Sequence, residues 1–327
     1  RYLRAKTYAL GSEFDVKRAY FRKLRTTKTT EEIIPPVDTR LIQNEIGSIE
    51  DCKTLSYDHF ECFVVNSHRI PNCLREIGRL RVVTFRAVGE GTNRSIDLDE
   101  YDLYYQHLIL WDAKAFKIVG AYRVGNGREI MERYGKRGFY ISSLFRMRAG
   151  FDSMLNESLE LGRSFIVQEY QKHRLSLFLL WKGLLYYFLA NKQFRYIIGP
   201  VSISNQYQDV SKELIIQFIT KHHFDKGLAS SVTPKHAFKP RFKRVDTEAL
   251  LNATQNDMKK MDRIISEIEP SSFTMPVLLK KYLQQNARIV AFNCDPKFNN
   301  ALDGLMYLDL KNLPEDTIET LRREMVS

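Results

Sequence analysis

The run Leu159-Glu160-Leu161-Gly162-Arg163-Ser164-Phe165-Ile166-Val167 sets one carboxylate and one guanidinium in an otherwise apolar, aromatic and β-branched segment. Gln168 to Ser176 follows at once, with Lys172, His173 and Arg174 standing just ahead of Ser176 and a long apolar run. The first segment reads as a strand and the second as the start of a helix. A helix start turns unpaired backbone N–H groups outward, and basic side chains there add to its attraction for phosphate. Lys172, His173, Arg174 and Ser176 therefore suit the phosphopantetheine arm of an acyl thioester; they would serve equally as an ordinary basic cap on a surface helix.

Making an amide from a thioester requires an amine that has lost its proton, a place for the carbonyl and a grip on the donor arm. Strand alternation sends Glu160, Gly162, Ser164 and Ile166 to one face and Leu161, Arg163 and Phe165 to the other. A carboxylate in such a strand is costly unless it is paired or used. Two readings of Glu160 stand: a buried ion pair with an arginine, or the group that takes the amine proton, with Arg163 orienting a carboxylate or fixing the donor. The stretch Ile96-Asp97-Leu98-Asp99-Glu100-Tyr101-Asp102 lacks the central glycine of an EF-hand loop; its aspartates would hold the ammonium of an amino-acid acceptor or cap a solvated turn.

Other chemistries find no support. His107 to Asp112 has an HxxxxD spacing, but residues five apart on a strand face opposite ways, so His107 is expected to be a packed strand residue. No Ser-His-Asp order, HExxH or P-loop occurs, and no metal site is expected; His222-His223 closes an amphipathic helix, where positive rings favour the dipole.

The elements that must carry these residues are ordinary for a globular chain of 327 residues, 44% hydrophobic and 27% charged. Fifty basic against 39 acidic residues give +11, a surface for polyanions; without a zinc-finger, helix-turn-helix or aromatic RNA-binding pattern, nucleic acid is the weakest candidate and anionic lipid or an acidic carrier protein the stronger. Cys52, Cys62, Cys73 and Cys294 show no CxxC pair, as in a cytosolic protein with reduced thiols. The apolar run from Leu177 to Ala190 is broken by Lys182 and Gly183 and is shorter than the roughly 20 residues of a membrane span.

Along the chain, the first thirty residues are basic and lead into the linker-like Thr26 to Thr30. A strand is expected at Cys62 to Val65 and a helix from near Asn72. A hairpin at His107 to Asp112 and Lys117 to Val124 comes next, then the strand 159–167, a helix 176–190 and a strand Phe194 to Ile203. Helices at Asp257 to Ile268 and Val277 to Gln285, strands at Arg288 to Phe292 and Leu305 to Leu310, and a closing helix after Pro314 follow. Such an order predicts an α/β (α+β) fold with a mixed sheet flanked by helices.

Leu80-Arg81-Val82-Val83-Thr84-Phe85-Arg86, Asp99-Glu100-Tyr101-Asp102, Gly120-Ala121-Tyr122-Arg123, Leu159 to Ser164 and Leu180-Trp181-Lys182-Gly183, in that order, resemble the GNAT superfamily. Within it they are similar to the amino-acid N-acyltransferases that make ornithine and glycine lipids, often labelled hemolysins; Met275 to Leu283 and Phe292 to Phe298 also match this group, so the likeness covers about residues 33 to 320. The resemblance implies a GNAT-like, mostly antiparallel twisted sheet with a C-terminal helix and strand extension. Its expected organisation is a basic segment and linker at 1–32, an acyltransferase domain at 33–245 and a packed extension at 246–327. A similar series of arginines and acids occurs in acyl-homoserine-lactone synthases. By that likeness Arg81, Asp99, Asp102 and Arg123 bind the acceptor, Glu160 is catalytic, and Arg163 and Ser164 join Lys172, His173, Arg174 and Ser176 on the donor.

Acetyl-CoA users of the superfamily carry glycines where this chain has Lys172, Arg174 and Ser176. Side chains there obstruct a close backbone cradle for a diphosphate and offer charge instead. The implied donor is the phosphopantetheine of acyl carrier protein, with acyl-CoA the alternative and no permanently bound cofactor; the implied acceptor is glycine or ornithine, and the donor group a 3-hydroxy fatty acyl chain. Arg133, Lys136, Arg137, Arg146 and Arg148 are candidate carrier contacts. An acetyl-CoA-dependent N-acetyltransferase and a non-catalytic membrane-binding module are the rival readings. The opening Tyr2 to Gly11 is similar to the end of a lysophospholipid acyltransferase domain, so the sequence is expected to continue a longer chain. The expected location is the cytoplasm, with peripheral contact at the anionic inner face of the membrane.

Overall fold

The computed structural model describes residues 30–239, 246–270 and 273–317, with Leu3 and Glu319 besides, and Arg174 by its backbone alone. The basic opening segment, Leu3 apart, and most of the closing helix expected after Pro314 lie outside the described residues.

A helix, Thr39–Gly47 (α1), precedes the hairpin Lys53–Tyr57 (β1) and Phe60–Asn66 (β2), and a long helix, Pro71–Ala87 (α2), follows. Pro71 occupies the first turn of α2, where its missing N–H costs nothing. Next come Gln106–Asp112 (β3) and Lys117–Asn126 (β4), then the short elements Gly127–Tyr134 (α3), Ile141–Leu144 (α4), Phe145–Met147 (β5) and Asp152–Asn156 (α5). Ser158–Ile166 (β6), Arg174–Ala190 (α6), Tyr196–Ile203 (β7), Asp209–His222 (α7), Lys226–Ala229 (α8) and Val232–Pro234 (β8) continue the chain. Thr247–Thr254 (α9), Met258–Ile268 (α10) and Val277–Gln284 (α11) lead to the closing hairpin Arg288–Asp295 (β9) and Ala301–Asp309 (β10).

Eight strands form one mixed, mostly antiparallel sheet in the order β1-β2-β3-β4-β6-β7-β10-β9, in keeping with the expected architecture. Every neighbouring pair is antiparallel except β6 with β7. The strands at 288–309 extend the same sheet, β10 pairing with β7 from Leu302 and Ile203 to Asp309 and Tyr196. Period-two alternation divides β3 between the two faces: Leu108 and Leu110 pack with Leu180, Leu184 and Phe188 of α6, and Ile109 and Trp111 with Ile77 and Phe85 of α2. Each such buried side chain contributes about 1.5–3 kcal/mol.

The alternation expected for β6 holds only as far as Leu161. Ala121 pairs with Phe165 but Arg123 with Gly162, so Tyr122 alone is opposed by both Arg163 and Ser164, a β-bulge. Arg163 sits in the left-handed region at φ 50°, an uncommon conformation for a residue with a side chain. The extra residue inverts the parity of the strand. Leu159 and Leu161 face α6, yet Phe165 belongs with α2, and Arg163 shares the side of Glu160 instead of opposing it.

β6 and β7 pair only from Ser158–Tyr196 to Glu160–Ile198 and then part. At the parting point a Cβ on Gly199 would lie 2.3 Å from the Leu161 carbonyl oxygen, so only glycine permits this approach. Among the described residues no helix is long and apolar enough to cross a membrane. Gly199→Val should force the two strands further apart and cost about 1–3 kcal/mol. Urea unfolding checks this, and an unchanged midpoint would show that the close approach is not needed.

Candidate active site

Helix α2 carries Arg81 into the interior with no exposure. Gly78, three residues before it, lets Ile96 and Leu98 lie directly against the helix, where a Cβ would meet either at 2.7 Å, and its carbonyl receives the Asp97 N–H. That seating aims the aspartate segment inward. Arg81 Nη1 donates to Asp102 Oδ1 at 2.8 Å. Arg123 Nη1 reaches Asp99 Oδ1 at 2.5 Å and Asp102 Oδ2 at 3.3 Å. Arg163 lies 3.1 Å from Asp97 Oδ2 through Nε and 3.6 Å from Asp99 Oδ2 through Nη2.

Three arginines thus meet three aspartates largely out of water, with Asp99 the most exposed of the six, and the pairing makes the burial tolerable. Arg123 also sits over the rings of Tyr101, Tyr105 and Tyr140 at 5.3, 5.4 and 5.1 Å. Nε and Nη2 of both Arg81 and Arg123 find no hydrogen-bond partner among the described residues, so charge pairing and aromatic faces carry most of the compensation. Burial alone would raise the Asp102 carboxyl, but Arg81 and Arg123 hold it well below the usual carboxylate range.

Glu160, on β6 beside this network, is buried. Its carboxylate accepts from the Tyr105 hydroxyl, the Tyr140 N–H at 3.1 Å and the Ile141 N–H at 2.7 Å, and burial pushes its carboxyl up to about 7. Tyr140, fixed in this way, stacks 5.1 Å from Arg163, accepts from its Nη1 at 3.2 Å and donates to Asp295 Oδ2 at 3.4 Å.

Where β6 and β7 part, a cavity of about 160 Å³ opens. Gly162, Arg163 and Ser164 of β6 line one side and Gly199 to Ser202 of β7 the other, with Tyr122 and Tyr140. Three carboxylates, Glu90, Asp295 and Asp303, complete it. Asp303 is 3% exposed and accepts from Ser202 Oγ at 2.7 Å. Burial, reinforced by the nearby Asp295 and Glu90, pushes its carboxyl up to about 7, and burial does the same to Glu90. A second, mainly apolar cavity of about 350 Å³ lies between α6 and α11, walled by Leu177, Phe178, Trp181, Leu185 and Lys281. Tyr122, Leu278 and Tyr282 line both spaces, the two tyrosine hydroxyls 3.2 Å apart.

Of the residues singled out in the sequence, Arg163 and Ser164 line the first cavity. Arg81, Asp99, Asp102 and Arg123 are brought together, but as a buried network behind its wall, and Glu160 faces Tyr105 and Tyr140. Lys172 and His173 are exposed ahead of α6, which begins at Arg174, two residues earlier than expected. Ser176 is buried, and its Oγ has no partner among the described residues. His107 is a fully buried strand residue whose Nε2 lies 3.3 Å from the Asp102 carbonyl oxygen. Glu90, Asp295 and Asp303 escaped sequence reasoning. Asp303 carried the same signal as Glu160, an acid among apolar strand residues, but a strand expected from Leu305 left it outside.

Residues 80–182 match the acetyltransferase (GNAT) domain family. The glycine N(alpha)-acyltransferase of Phocaeicola vulgatus is 31% identical over 266 residues, covering 77% of this chain and 80% of that protein. The enzyme of the same name from Bacteroides thetaiotaomicron is 31% identical over 268 residues, 77% of each. The crystal structure of the AHL synthase LasI aligns weakly, with a TM-score of 0.32 and 16% identity over 49% of this chain and 78% of that one.

Asp102→Asn, which leaves two buried arginines short of a charge, should cost about 3–5 kcal/mol in urea unfolding at neutral pH. Because the folded carboxyl titrates below the unfolded one, this contribution is complete above about pH 4 and fades as the pH falls toward the folded value. The gap between wild type and variant should therefore close in acid; a gap independent of pH would show that Asp102 is not held by its charge.

Proposed function

Because the chain belongs to the GNAT acyltransferases, in the family of the glycine N(alpha)-acyltransferases, we propose that it moves a fatty acyl group from a carrier-bound thioester to the α-amine of a small amino acid, glycine first. The observation that carries this reading is the cavity where β6 and β7 part, which sets the Arg163 guanidinium and three carboxylates around a space fit for a small zwitterion. Arg163 matches the acceptor carboxylate, and the parted strand edges from Leu161 to Ser164 and Gly199 to Ser202 offer the donor arm a path.

The apolar cavity between α6 and α11 supports a long acyl group over acetyl. An alkyl tail leaving a carbonyl in the first, polar space passes Tyr122 and Tyr282 into a second one lined by Leu177, Phe178 and Trp181. A carrier-protein donor is supported by the net charge of +11 and by exposed Lys172, His173, Arg133, Arg137, Arg146 and Arg148, which would steer an acidic partner. Ser176, buried at the start of α6 and outside both cavities, is left out of this donor contact. Glu160 in this reading holds Tyr140, and through it Arg163, in place. The product would enter aminolipid synthesis at the inner face of the membrane.

Incubation with an acyl carrier thioester and glycine should yield N-acylglycine by mass spectrometry, with ornithine and acetyl-CoA poorer partners; absence of any N-acyl amino acid would reject the proposal. Leu177→Trp should cut kcat/KM for long-chain donors by about tenfold, the loss of roughly two buried methylenes, and spare short ones. An equal effect at every chain length would place the tail elsewhere.

A further inference from the structure

On the reading of an amine acceptor bound in the cavity between β6 and β7, we propose that Asp303 is the catalytic base, receiving the acceptor's ammonium and taking its proton while Arg163 holds the carboxylate across the same space. Nothing in the sequence motifs assigns Asp303 a role, and Glu160, the acid they do single out, does not line the cavity.

Three features of the site carry the assignment. Asp303 is nearly buried yet lines the cavity, on the strand next to β7, where the donor arm would pass. Its Oδ1 is committed to Ser202 Oγ at 2.7 Å, and no donor among the described residues reaches Oδ2, which leaves one oxygen for the acceptor. Arg163, held by Asp97, Asp99 and Tyr140, occupies the opposite strand, so a short zwitterion meets a guanidinium at one end and a carboxylate at the other.

The groups facing Asp303 are Asp295 of β9, Glu90 beyond α2, Tyr140 ahead of α4, Arg163 of β6 and Ser202 of β7, with Asn293 its cross-strand neighbour. Burial, with the two acids, pushes its carboxyl up to about 7, where a base accepts a proton readily and is about half ionised at neutral pH. In the step itself the ammonium gives one proton to Asp303, the freed nitrogen attacks the thioester carbonyl, the C–N bond forms and the C–S bond breaks. The second proton of the nitrogen leaves with the thiolate as thiol, and Asp303 returns its proton to solvent.

The test is the pH dependence of kcat/KM for glycine acylation, measured together with glycine binding by calorimetry. Wild type should show an acidic limb near pH 7. Asp303→Asn, which can still accept from Ser202, should lose that limb and about a hundredfold in rate with donor KM unchanged. Ser202→Ala, by removing a hydrogen bond to the ionised form, should shift the limb to higher pH. A limb that survives in Asp303→Asn, or that disappears in Glu160→Gln instead, would overturn the assignment even with N-acylglycine forming normally. Wild type that neither binds nor acylates glycine would overturn the acceptor reading, and this inference with it.

Discussion

A guanidinium withdrawn from water must be met by opposite charge, and the interior of this protein is arranged around that requirement. Arg81, Arg123 and Arg163 come from a helix and two different strands, and among the described residues the segment from Asp97 to Asp102 brings carboxylates within reach of all three. The helix α2, the sheet and the aspartate loop are therefore locked in one relative position. Tyr101, Tyr105 and Tyr140 fill the space the ions cannot, presenting ring faces to Arg123. Of the three arginines only Arg163 lines the cavity, so the network sets the direction of the cation that faces this space among the described residues.

The bulge in β6 and the parting of β6 from β7 act together. A regular strand would send Arg163 toward α6, into apolar packing with Leu159 and Leu161. One extra residue, with Arg163 in the left-handed region, turns it back toward Tyr140 and Asp97 and places Ser164 beside Tyr122. The strain of that conformation is sustained by the ion pairs and the tyrosine hydroxyl on the guanidinium. The same stretch of backbone forms a wall of the cavity.

Polarity is divided between two neighbouring spaces that share Tyr122, Leu278 and Tyr282 as lining. Glu90, Asp295, Asp303 and Arg163 border the cavity at the parting strands; leucines and aromatic rings of α6 border the one toward α11, with Tyr122 and Tyr282 between them. Helix α6 reads as an apolar run because it packs on the sheet with one side and borders this second space with another. Such a division suits a molecule with a charged head and an alkyl tail.

Much of this was legible in the residues themselves. Alternation marked β3 and β4, the acid and base inside 159–167 marked a site, and the ordered motifs from Leu80 to Gly183 carried the family likeness and with it the sheet. Which acids face the cavity was not legible, because it depends on a bulge that period-two reasoning does not contain and on β10 returning from the far end of the chain to lie beside β7. Sequence determined the elements and the charged residues that had to be compensated. Tertiary structure alone decided that Arg81, Asp102 and Arg123 compensate one another while Asp303, more than a hundred residues beyond Arg163, shares its cavity, since burial and charge pairing are settled by distance in space.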